Sequence, residues 1–160
     1  MSTDSWQTFA DAISDENKYL AELGSAALAL TDSLVCGTPA DIETTERKVE
    51  AMRVMHGHAH GKRMTMQKRG FGDLNLQQVC AYAPAPLRRN VYTTLHELTT
   101  RAIALQITVN NNKALIMAGM NRLTRTVEVL QRSMTEQPGT YKRRGTVPVA
   151  GGSVIMSRRA

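Results

Sequence analysis

Three histidines crowd into Met55-His56-Gly57-His58-Ala59-His60-Gly61. His56 and His60 stand four residues apart, a spacing that puts two imidazoles on one helix face and could chelate a transition metal. His58 would point elsewhere on a helix. No glutamate follows in an HExxH arrangement, and the fourth histidine, His96, lies far away in sequence. Two ligands make an adventitious site at most, so neither metal nor cofactor is expected. The stretch reads as a solvated, glycine-loosened helix end that protonation would loosen further below about pH 6.5. Cys36 and Cys80 have no CxxC spacing and no paired base, and read as small buried residues. Lys142-Arg143-Arg144 beside Tyr141, and Arg88-Arg89, could touch phosphates. A reader of nucleic acid would need a recognition helix or base-stacking aromatics alongside. No glycine-rich phosphate loop, catalytic triad or carboxylate pair can be assembled. No catalytic residue, and no enzyme, is expected.

The elements that carry these residues are helical. Aromatic residues are scarce, at 4%, whereas sheets draw on aromatic and β-branched side chains. A first helix starts near Thr3 or Asp4. Trp6, Ile13, Leu20, Ala27 and Leu34 repeat every seven residues, with Phe9, Glu16, Leu23 and Leu30 as companions, and Glu16 is the misfit. Cys36-Gly37-Thr38-Pro39 ends it. A second helix starts at Thr38 or Asp41 and runs to about Lys68. Ile42, Val49, Met52, Met55, Ala59 and Met66 mark its inner side. Arg69-Gly70-Phe71-Gly72-Asp73 is a break, Leu74 to Tyr82 a short helix, and Ala83-Pro84-Ala85-Pro86 a turn.

The third long helix runs from near Pro86 to near Glu136. It carries a ladder of Val91, Leu95, Leu98, Ala102, Leu105, Val109, Ile116, Gly119, Leu123, Leu130 and Met134, interrupted by Asn110-Asn111-Asn112. About fifty residues make about 75 Å of helix against roughly 45 Å for the first. Part of it must therefore extend past its neighbours, bend or break, and an exposed apolar stripe there would be a binding surface. Asn112 falls on a core position, where a buried asparagine fixes register at some cost in stability.

Charge divides the chain. Residues 1–50 carry ten acids and three bases, residues 51–136 four acids and twelve bases, and residues 137–160 five bases and no acid. Antiparallel packing of the acidic first helix on the basic third would neutralise both. The excess of the net +6 then lies in the tail. Asp4, Asp11, Asp15, Glu16 and Glu22 argue against a secretory signal. No apolar run approaches the ~20 residues that span a bilayer. The expectation is cytoplasmic, with reduced thiols.

Asn110 to Leu115, the apolar ladder downstream, Thr140-Tyr141 with Gly145, and the Arg-Gly-Phe break resemble the FlgN family of flagellar type III export chaperones. The resemblance covers roughly residues 5–146. It implies a cytoplasmic helical protein that binds the C-terminal helical segments of hook-associated proteins. Such a protein keeps its clients unassembled and delivers them to the export gate. By position, the client-holding residues are Asn112, Ile116, Met120, Leu123, Val127, Leu130 and Met134, and Tyr141 docks at the gate. The family often has glycine after that tyrosine, where this chain has Lys142. The expected fold is all-α: an antiparallel three-helix bundle, coiled-coil-like, over residues 1–136, with a disordered basic tail over 137–160. Partners are hook-associated proteins and the export gate, without nucleic acid or stable membrane insertion. Homodimerisation through the stripe stays open. The alternatives are a helical regulator that binds nucleic acid through the basic tail and a metal-responsive structural protein using His56 and His60.

Overall fold

The structure is a computed structural model, and residues 3–135 are described. Among them four helices and no strand occur: α1 (Thr3–Cys36), α2 (Pro39–Phe71), α3 (Leu76–Ala81) and α4 (Ala85–Thr135). By compactness the chain divides into Met1–Arg122 and Leu123–Ala160, and α4 contributes to both. The tail proposed for 137–160 lies outside the described residues.

Local chemistry sets the helix ends. Thr38 caps α2 as half of a capping box. Its hydroxyl accepts from the Asp41 N–H at 3.3 Å, and its own N–H donates to the Asp41 carboxylate at 2.9 Å. Pro39 follows as the first helical residue, where a missing N–H costs nothing. Gly72 ends α2 at φ 64°, a conformation in which a Cβ would be strained. Asn75 and Gln78 box α3 in the same manner, at 2.8 and 2.9 Å.

α1 is the hub of Met1–Arg122. Its heptad residues Trp6, Phe9, Ile13, Leu20, Leu23 and Ala27 are all buried. Phe9 and Ile13, fully enclosed, stabilise the fold by ~1.5–3 kcal/mol each. Trp6 and Phe9 stack with Phe71 of α2, at 4.9 and 5.5 Å between ring centres. Val79 and Cys80 of α3, Ala83 and Val91 close this cluster. Three of the seven aromatic residues thus meet where α3 seals one end.

Contacts give the helix directions. Trp6 meets Phe71, and Glu16 meets His60 and Arg63, so α2 runs against α1. Asn17 bonds Glu97 and Arg101, while Ala27 and Thr31 bond Asn112, so α4 runs with α1. This corrects the expected antiparallel packing of the first and third long helices. Ion pairing from α1 goes instead to α2, through Glu16–Arg63 and Asp15–Lys62. A second correction concerns apolar length. By length and composition α1, from Asp4 to Cys36, is long and apolar enough to cross a membrane. Here that apolar face packs on α2 and α4.

Candidate partner-binding surface

α4 changes character at Asn112. Upstream, Val91 is buried and Leu95, Leu98, Arg101, Leu105 and Thr108 are half-buried, so this face meets its neighbours. Ala102 and Val109 of the expected ladder are exposed instead. The inward face keeps seven-residue steps through Val91, Leu98, Leu105 and Asn112, and its companion series is Thr94, Arg101 and Thr108, so Arg101 and Thr108 take the inward places. From Lys113 to Met134 every residue is exposed.

Six of those exposed residues keep the apolar ladder. Ile116, Met120, Leu123, Val127, Leu130 and Met134 follow one another by four and three residues, the spacing of a coiled-coil seam. They are 44, 63, 68, 50, 56 and 67% exposed. Ile116 and Met120 belong to the first compact unit and the other four to the second. Single exposed leucines are unremarkable, but a ladder of large apolar ones forms a contiguous apolar surface.

Asn112 does not belong to this surface. It is buried, its amide donates to the Ala27 carbonyl at 2.9 Å, and its carbonyl accepts from the Thr31 hydroxyl at 2.7 Å. Both ends of the amide are engaged inside the protein, so Asn112 fixes the register of α4 on α1. Asn110 and Asn111 are exposed, and Gln106 donates to Asn110 at 3.1 Å.

The structure also assembles a polar cluster that sequence reasoning missed. Glu16, the misfit on α1, is buried between Arg63 and His60 of α2. Arg63 Nε donates to one carboxylate oxygen, and His60 Nδ1 lies 2.7 Å from the other. Arg63 also donates to the Gln67 amide oxygen at 2.5 Å, and Gln67 donates to the Leu74 carbonyl at 2.6 Å. The chain of bonds ties α1, α2 and the start of the α3 turn together. Burial would raise the Glu16 pKa, but hydrogen bonds and charge from Arg63 and His60 outweigh it and hold the carboxyl below its ordinary range.

This cluster corrects the reading of the histidine stretch. The helix does not loosen at Gly57 or Gly61, since α2 continues to Phe71. The inner stripe of α2 is Ile42, Val49, His56 and Arg63 on one series and Thr45, Met52, Ala59 and Met66 on the other. His56 takes the place expected for Met55, which is exposed. His60 is engaged by Glu16, and no group of three metal-ligating side chains occurs among the described residues. A signal was available: Glu16 on an inner heptad position demands a cation opposite, and Arg63 lies seven residues beyond His56. The cysteines divide. Cys80 is buried, and burial pushes its thiol up to about 11, away from nucleophilic use. Cys36 is exposed, against expectation. Tyr141 lies outside the described residues.

No protein-family model, curated protein or solved structure matches this chain. Its function is therefore argued from its own residues.

Proposed function

We propose that this protein is a cytoplasmic, non-catalytic export chaperone of the FlgN type. In this reading α1, α2 and the first part of α4 form an antiparallel three-helix bundle. The later part of α4 holds a helical segment of a hook-associated protein, masking it from premature assembly. Tyr141 and the basic tail then present the complex to the export gate.

One observation carries the reading: the apolar ladder from Ile116 to Met134, continuous in spacing and exposed throughout. Helix-in-groove recognition needs anchors three, four and seven residues apart, which this ladder supplies. Met120 and Met134 add adaptable contacts suited to a client that must be released.

The test is capture from native cytoplasm with tagged full-length protein, in nuclease and ~150 mM salt, which screens loose charge contacts. Hook-associated proteins should be recovered by the parent chain and lost by Leu123→Asp with Leu130→Asp, whose circular dichroism and melting should match the parent. Unfolding of that variant would assign these residues to the internal core. Equal recovery by both proteins would refute the site.

A further inference from the structure

The charge around the ladder restricts what can cover it. Residues 113–135 carry Lys113, Arg122, Arg125 and Arg132 against Glu128 alone, a balance of +3. The following residues 136–160 add five bases and one acid. Residues 113–160 therefore hold +7 of a net +6, and the preceding 112 residues are close to neutral at −1. All of the protein's excess positive charge lies in the segment that also carries the exposed ladder.

The placement of those charges matters as much as their sign. Positions flanking a coiled-coil seam usually select partners by direct ion pairs. Here the flanking positions are Met117, Gly119, Thr124, Thr126, Gln131 and Ser133, all uncharged. Arg122, Arg125, Glu128 and Arg132 occupy the positions behind the seam. A helix with its side chains is ~10–12 Å across, so those charges sit about one Debye length from a docked partner at ~0.15 M salt. They act at a distance, on encounter, more than in the closed interface.

We propose that the occupant of this surface is an acidic amphipathic helix of a partner protein, drawn in by the positive field and held by the ladder. A second copy of this chain is the disfavoured occupant, because pairing two such helices brings like charges together. The inference rests on the docking role given to α4 above and adds the chemistry of the partner.

The test uses the full-length protein and three labelled peptides of about 21 residues. All share one apolar ladder, with Glu, Gln or Lys on the polar face, and binding is followed by stopped-flow anisotropy. At ~50 mM salt the Glu peptide should associate about tenfold faster than the Gln peptide, and the Lys peptide slowest, with dissociation rates within about twofold. The advantage should shrink toward unity at ~0.5 M salt. Equal association of the Glu and Lys peptides would overturn the proposal. So would an acidic preference retained by Leu123→Ser with Leu130→Ser, which would place the binding elsewhere. A salt-resistant dimer of the free protein, dissolved by the same pair, would replace the partner with a second copy. The two readings fail separately: hook-associated proteins captured without any acidic preference would sink this inference alone, and acidic preference without such capture would sink the client assignment alone.

Discussion

Two stretches of α4 carry the same kind of ladder and meet opposite fates. From Val91 to Asn112 its members Val91, Leu95, Leu98 and Leu105 are buried or half-buried against their neighbours while Ala102 and Val109 are exposed, and Asn112 is pinned by Ala27 and Thr31. From Ile116 to Met134 a ladder of equal regularity is exposed. Seven-residue spacing determines which side chains share a face. It does not determine whether anything covers that face. The comparison also separates two uses of polar residues. In the covered part Asn112 is buried, paired and structural, as Glu16 of α1 and Arg63 of α2 are. In the uncovered part they are all exposed.

If that contrast is right, substitutions in the two parts should differ sharply in cost. The largest effect belongs to Arg63→Ala, which leaves Glu16 buried without its main partner. A loss of about 3–5 kcal/mol is expected in urea unfolding, and a loss under ~1 kcal/mol would show the pair to be solvated and the cluster incidental.

Acid should act on the same cluster in two stages. Burial holds His56 below its ordinary 6.5, with Glu16 attracting the proton and His60 and Arg63 repelling it. The unfolded chain therefore binds that proton first, and stability falls as pH drops below about 6.5 through the folded value. Glu16 sits below its ordinary 4.5, so its contribution is present above that value and is lost as pH falls further. Melting temperature measured from pH 7.5 to 3.5 should decline in both windows, and His56→Ala should remove the first step. A flat profile between pH 7 and 5.5 would contradict the half-buried place of His56 on the inner stripe of α2.

Asn112→Ala should cost about 1–3 kcal/mol, because it removes two hydrogen bonds between α4 and α1, one from the Thr31 hydroxyl and one to the Ala27 carbonyl. No measurable loss would move Asn112 back among the partner-facing residues. Smallest of all, Leu130→Ser should change stability by no more than ~0.5 kcal/mol, as expected for an exposed position. A larger loss would mean that the ladder is already covered within the free protein.

The sequence alone determined the helices and most of their ends, although α2 runs on through Arg69, Gly70 and Phe71 and α4 already begins at Ala85. Thr38-Pro39, Gly72 and the Pro84-Pro86 turn act through local backbone chemistry, which needs no distant partner. It also determined the inner heptads of α1, because Trp6, Phe9, Ile13, Leu20, Leu23 and Ala27 have nowhere else to go in water. Tertiary structure alone decided what each odd residue was for. Glu16 looked like a misfit until α2 set Arg63 and His60 against it. Asn112 looked like a client contact until α1 offered Ala27 and Thr31. Met55 yielded its inner place to His56, because seven-residue steps from Ile42 and Val49 reach His56 and then the buried Arg63. These outcomes depend on which residues of separate helices come opposite one another, and a linear pattern holds no record of that pairing. The exposure of Ile116 to Met134 belongs with them, since a ladder reads the same whether its partner is in the chain or outside it.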